Sequence, residues 1–301
     1  MRTFQFGIMA QGPGLLEIAR QAEELGYSTL CLPDHLGEQW APLVSLAAVA
    51  MVTSRLRLAP LVCCNDFRHP AVLAKELATL DVLSQGRLQV GLGAGWMESD
   101  YRKSGLPMDP PAQRIQRLEE ALAVLRGALA PGPFSFHGTH YRMEEYTGFP
   151  QPVQSPIPLY LGGGGGMMLR LAARQADVVG ININLRNNAL CDLDFSAEAC
   201  DQKVSWVRQA AGPRWDQIRL SMLTFVCRLT DQAESAYHEI AAQMETTAEV
   251  VRQSPSVLVG TVDQVVEQLV QRRQRWGISE WIFRSGQLRD FAPVVAQLQG
   301  S

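Results

Sequence analysis

Asp34 and His35 stand side by side within TLCLPDHLGEQW, residues 29–40. An adjacent carboxylate and imidazole can supply a proton acceptor and a proton donor near neutral pH. The same residues also suit an aspartate that caps the next turn and a solvated histidine. A second polar group, Asn65, Asp66, Arg68 and His69, follows the apolar run APLVCC. It reads either as part of a site or as an ordinary loop carrying surface charges. GLGAGW places Gly91, Gly93 and Gly95 where a ligand can approach bare backbone, or where strands need small residues to pack. Its match to a dinucleotide fingerprint is loose, because the third glycine is missing. Five glycines, Gly162 to Gly166, run from an apolar segment into MMLRLAARQAD. Bare N–H groups at a helix start attract anions, and glycines let a phosphate close in. A flexible turn is the alternative. Taken together, these residues describe an acid/base pair and a phosphate-bearing ligand.

The elements that must carry them alternate. FQFGIM reads as a strand, and LLEIARQAEELGY as a helix with Leu15, Ile18, Ala19, Ala22 and Leu25 on one face and Gly26 ending it. TLCL is the next strand, so Asp34 and His35 follow a strand end. APLVSLAAVAMVTS reads as a helix, RLRLAPLV as one strand over 55–62, PAVLAKELATLDVLS as a helix opened by Pro70, and GRLQVGLGAGW as a strand. AQRIQRLEEALAVLRGALA is an amphipathic helix, and FSFHGTHYRM an inserted hairpin. LYLGGGGG and VVGINI are strands around a helix. Residues 218–229 read as one strand, 231–253 as one long helix, TVDQVVEQLVQRRQRWG as another, EWIF as the last strand and DFAPVVAQLQ as the closing helix. About eight strands, each usually followed by a helix, predict an α/β chain folded as a (β/α)8 TIM barrel with insertions, a single domain over residues 1–301. An open doubly wound sheet usually has fewer repeats. In such a barrel the chemistry sits where strands end and βα loops begin.

The composition narrows the classes of function. Of 301 residues 47% are hydrophobic and 19% charged, and the formal net charge is -3, so no basic field points to nucleic acid. No apolar run nears the roughly 20 residues of a membrane span. The opening MRTFQFGIMAQGPG is too short and interrupted for a signal peptide. Six cysteines form no C-x-x-C pair, which argues against zinc and leaves no metal site in view. Reduced thiols in a cytoplasmic enzyme fit best.

Several ordered blocks resemble the luciferase-like monooxygenase superfamily, and within it the coenzyme F420-dependent oxidoreductases. They are LPDHLGEQWAPL, FRHPAVLAKELATLDVLSQGRLQVGLGAGWMESDYRKSGLP, RLEEALAVLRG, PQPVQSPIPLYLGGGGGMMLRLAARQADVVGI and SPSVLVGTVDQVVEQL. The resemblance covers nearly the whole chain. It implies a (β/α)8 barrel, often a homodimer, with a coenzyme held ring inward at the mouth and its phosphate-bearing tail running outward. By position, Asp34 would contact the coenzyme ring and His35 would give or take the proton beside a small-molecule substrate. That Asp-His pair favours F420; reduced FMN in a monooxygenase is the alternative. A non-catalytic flavin-binding relative is a third possibility. The resemblance places a non-prolyl cis bond at Leu61–Val62 behind the ring, and Cys64 at the ring edge. It places Ala94, Gly95 and Ser99 beside ring or tail, and Gly164, Gly165, Gly166 and the Met167 N–H on the phosphate. One departure matters. Trp96 stands where F420-dependent sugar-phosphate dehydrogenases carry an acidic Glu, and Lys75, Lys103 and Lys203 are poorly placed for a sugar phosphate. An apolar or aromatic substrate follows, at a mouth lined by Trp40, Trp96 and Phe67. The insertion over 184–211 is expected to shape the substrate entrance.

Overall fold

The computed structural model describes residues 2–183 and 194–301. Along the chain the elements run β1 (Gln5–Met9), α1 (Leu15–Glu24), β2 (Thr29–Leu32), α2 (Pro42–Ala50), β3 (Arg57–Pro60), β4 (Cys63–Cys64), α3 (Pro70–Leu83) and β5 (Val90–Gly93). Then come α4 (Glu98–Ser104), α5 (Pro111–Leu129), the hairpin β6 (Phe134–His137) and β7 (Arg142–Tyr146), β8 (Leu159–Gly163), α6 (Gly166–Gln175), β9 (Val178–Ile181) and α7 (Ala197–Ala211). The last third holds β10 (Arg219–Leu223), β11 (Val226–Leu229), α8 (Ala233–Gln243), α9 (Ala248–Gln253), β12 (Val257–Gly260), α10 (Val262–Trp276), β13 (Ile278–Arg284) and α11 (Ala292–Leu298). These elements fall into two compact units interleaved in sequence: Ala10–Arg20 with Leu30–Leu161, and Met1–Met9, Gln21–Thr29 with Gly162–Ser301.

The unit built around 30–161 holds the polar strand ends. The Leu61 N–H reaches the Leu32 carbonyl, and the Gln89 N–H the Leu58 carbonyl. β4 pairs in parallel with β5, Cys63 opposite Leu92 and Cys64 opposite Gly93, and β5 pairs in parallel with β8. Parallel neighbours need long crossovers, which α2 and α3 supply. Pro70 opens α3 at its first turn, where a missing N–H costs nothing. Asp81, fully buried on α3, accepts from the backbone and side-chain amides of Gln154, so the helix and the PQPVQSP stretch are tied together. The hairpin is antiparallel, as its alternating pattern predicts.

In the other unit β1 lies parallel to β13, β13 to β10, and β10 to β9. Phe6, Phe283 and Phe291 pack as a buried aromatic group on this sheet. Such rings contribute through buried area as well as ring geometry. α10 opens on a capping box of Thr261 and Gln264, and Gly277 closes it with φ +79°. That conformation favours glycine.

Three readings of the sequence need correction, and one element it did not show is added. Residues 55–62 are not one strand: β3 stops at Pro60, and the cis Leu61–Val62 peptide separates it from β4. Residues 218–229 are not one strand either. β10 joins the parallel sheet, whereas β11 pairs with β12. The helix over 231–253 is broken: Glu245 takes φ +53° and Thr247 caps α9 by accepting from the Val250 N–H. Finally, ESDYRKS is a helix, α4, ended by Gly105 at φ +72°.

Candidate active site

Asp34 and His35 follow β2, Cys64 ends β4, and Gly95 follows β5, all in the 30–161 unit. Adjacent in sequence, Asp34 and His35 face different partners. Asp34 is buried and accepts a forked pair of hydrogen bonds from Arg68, Nη1 to Oδ2 at 2.6 Å and Nη2 to Oδ1 at 3.2 Å. It also accepts the Cys64 N–H at 3.1 Å. Burial alone would lower the Arg68 pKa, but hydrogen bonding and charge attraction from Asp34 outweigh it and raise the value. Arg68 is therefore a fixed cation and no stray surface charge. Asp34 is an anchored acceptor.

His35 turns instead to α4. Its Nδ1 lies 2.6 Å from Asp100 Oδ2, and the Leu36 N–H donates to Asp100 Oδ1 at 3.2 Å. The Asp100 side chain is only 4% exposed, against 23% for His35, so the carboxylate is hidden behind the ring it holds. Trp96 meets the His35 ring edge-on, centroids 5.6 Å apart at 90°.

The loop after β5 is held from below. Tyr101 donates to Asp66 at 2.8 Å and lies 3.4 Å from the Ala94 carbonyl. Arg114, buried on α5, donates to the Ala94 and Gly95 carbonyls. Arg117 forks onto Asp66 and reaches Asp109. Gly95 has φ +76°, and a Cβ there would lie 1.9 Å from the Tyr101 oxygen. A Cβ at Gly91 would lie 2.0 Å from the Pro60 carbonyl. Close packing within the protein thus already requires both glycines. Burial pushes the Cys64 thiol up to about 11, so it stays a neutral thiol near pH 7. Leu61 and Val62 are half-buried beside it, joined by the cis bond. Ala94 and Ser99 are half-buried, Ser99 in the first turn of α4.

Gly164, Gly165, Gly166 and Met167 lie in the other unit, at the start of α6. Among the described residues no side chain caps that helix, and a Cβ at Gly165 would meet none of them within 4 Å. The first-turn N–H groups have no intrahelical acceptors. An uncapped ten-residue helix opened by glycine fits a phosphate group.

Of the aromatics expected at the mouth, Trp96 reaches His35, Phe67 packs 6.2 Å from Tyr101, and Trp40 is half exposed. Lys203 is buried, bonded to Asp194 and to the Asn182 carbonyl. Of the insertion over 184–211, residues 184–193 lie outside the described residues. Sequence reading missed Asp100, Tyr101, Arg114 and Arg117. The acidic start, basic end and closing glycine of ESDYRKSG are a helix signal that would have found α4, though not the burial of Asp100.

Parallel strand–helix repeats, with a clustered set of polar side chains where three of the strands end, place this site in an α/β chain of the (β/α)8 class. The sequence profile described as luciferase-like monooxygenase matches residues 7–280, and the chain belongs to that family. It is 31% identical over 182 residues to an FMNH(2)-dependent dimethylsulfone monooxygenase of Pseudomonas putida, covering 60% of this chain and 47% of that protein. It is 34% identical over 176 residues to an F420-dependent glucose-6-phosphate dehydrogenase of Microbacterium testaceum, covering 55% and 52%. The chain thus spans about half the length of these curated relatives. The solved coenzyme F420 dependent tetrahydromethanopterin reductase of Methanopyrus kandleri superposes with a TM-score of 0.77 at 20% identity, over 99% of this chain and 98% of that one. The two curated relatives are, by name, a monooxygenase and a dehydrogenase. Among the described residues no helix is long and apolar enough to cross a membrane.

Proposed function

We propose that this protein transfers a hydride between coenzyme F420 and a small organic substrate, with His35 giving or taking the accompanying proton. The observation that carries the reading is the His35–Asp100 contact, which holds an imidazole in one orientation at a strand end. Hydride transfer to or from carbon leaves a proton to be placed, and an oriented imidazole does this near neutral pH.

The coenzyme would supply the two-electron chemistry. Asp34, locked by Arg68, would accept a hydrogen bond from the ring. Leu61 and Val62 would back the ring, and Cys64 would offer a neutral thiol at its edge. Ala94, Gly95 and Ser99 would border ring or tail. Backbone N–H groups from Gly164, Gly165, Gly166 and Met167 would hold the phosphate. Trp96 beside His35 supports an apolar or aromatic substrate over a sugar phosphate. The likeness to an FMNH(2)-dependent monooxygenase supports a second reading, a reduced-FMN monooxygenase built on the same residues. The chain acts as a single domain in a cytoplasmic homodimer in this proposal.

Titrating the protein with F420 and with FMN, read by quenching of coenzyme fluorescence, tests the choice. Much tighter F420 binding is expected, and a preference for FMN would move the protein to the oxygen-using reading. His35→Ala is expected to bind the coenzyme as before and to lose about 10²–10⁴-fold in turnover, the usual weight of one acid/base group. Unchanged turnover would remove His35 from the chemistry.

A further inference from the structure

We infer that Asp100 is a positioning residue that fixes the tautomer of His35, so that Nε2 is the nitrogen that works on the substrate. The inference rests on the reading of His35 as the proton-transferring group. It begins from the division of labour between the two oxygens of Asp100. Oδ1 accepts the Leu36 N–H at 3.2 Å, and Oδ2 lies 2.6 Å from His35 Nδ1. A carboxylate only accepts, so Nδ1 must carry the hydrogen. In neutral His35 the lone pair is then on Nε2, and in the cation Nε2 carries the mobile proton.

The arrangement is built to last. The Asp100 side chain is 4% exposed. Its neighbour Tyr101 is tied to Asp66, and Asp66 to Arg117, so the helix that presents the carboxylate is anchored one residue further on. Trp96 closes on the ring at 90°. The 2.6 Å contact has the length of a charge-assisted bond.

Asp100→Asn distinguishes positioning from mere tethering. An asparagine keeps the shape, and its Oδ1 can still accept the Leu36 N–H. Its Nδ2 then faces His35 Nδ1 and donates to it. His35 is driven to the other tautomer, with the hydrogen on Nε2 and no lone pair toward the substrate. A structural tether would survive this exchange. A tautomer lock would not, and in a serine protease triad the matching exchange costs ~10⁴-fold in rate.

The measurement is the ¹H–¹⁵N correlation spectrum of the intact protein labelled at its five histidines, above the pH where they titrate. The His35→Ala spectrum assigns the His35 signal. The wild-type protein is expected to show hydrogen on Nδ1, and Asp100→Asn hydrogen on Nε2. With the coenzyme, Asp100→Asn is expected to lose about 10³–10⁴-fold in kcat with little change in KM. A wild-type His35 carrying its hydrogen on Nε2 overturns the proposal without any variant. So does an Asp100→Asn protein whose tautomer is unmoved. Normal turnover by His35→Ala, with the tautomers as expected, would instead sink the reading of His35 and leave the lock standing.

Discussion

Arg68 decides what Asp34 can be. A buried carboxyl group gripped by a guanidinium fork is held in one orientation, with both oxygens engaged. Arg68→Ala leaves that carboxylate with the Cys64 N–H alone among its two protein partners. The expected loss is about 2–3 kcal/mol in urea unfolding, less than for a fully buried pair because Arg68 is partly exposed. Arg68→Lys keeps the charge but not the fork and should fall between. Cys64 makes a second prediction at this scale. With its thiol pushed up to about 11 by burial, it should resist iodoacetamide at pH 8 in the folded protein and react once unfolded. Mass spectrometry of native and urea-treated protein checks this, and rapid native labelling would contradict the packing around Tyr101.

At the scale of elements, single side chains hold loops that have little else. Glu120 on α5 accepts the N–H groups of Thr139, His140 and Tyr141 and so pins the turn of the β6–β7 hairpin. Burial is the largest single influence and would raise its pKa, but those three backbone donors together outweigh it and lower the value. A lowered folded-state pKa means the contribution is complete above the ordinary carboxylate range and fades as pH falls through the folded value. The protection of the Thr139 and His140 amides, taken relative to intrinsic exchange at each pH, should therefore be high at pH 6 and fall toward pH 3. Glu120→Gln should show the low protection at both. Gly95→Ala faces a positive φ costing about 1–3 kcal/mol, and its methyl would displace the Tyr101 hydroxyl. It is expected to lower Tm and to loosen the loop carrying Trp96.

For the whole molecule, α2 and α3 are unusual. Val44, Met51 and Val72 are 75%, 72% and 55% exposed, with Val82 and Leu83 also exposed, all on or next to these two helices. Exposed apolar side chains of this kind fit a contact face. The proposed homodimer would bury it, so sedimentation should report a dimer that Val44→Asp with Val72→Asp converts to monomer. A wild-type monomer would retire that proposal.

Much of the architecture was legible because its signals are local. Pro70 at a helix start, Gly26 at a helix end and the alternation of FSFHGTHYRM each act within a few residues of themselves. The end of β2, and hence Asp34 and His35, could be placed for that reason. The partners could not. Arg68 reads as a loop cation until the fold returns it to Asp34, thirty-four positions earlier. Asp100 reads as one acid among several until α4 buries it behind His35, sixty-five positions away. Residue type and period determine which elements form and which groups reach a strand end. Burial and pairing depend on neighbours distant in sequence, and only the tertiary structure decided that Asp34 is gripped by Arg68 and that the His35 ring is held by Asp100.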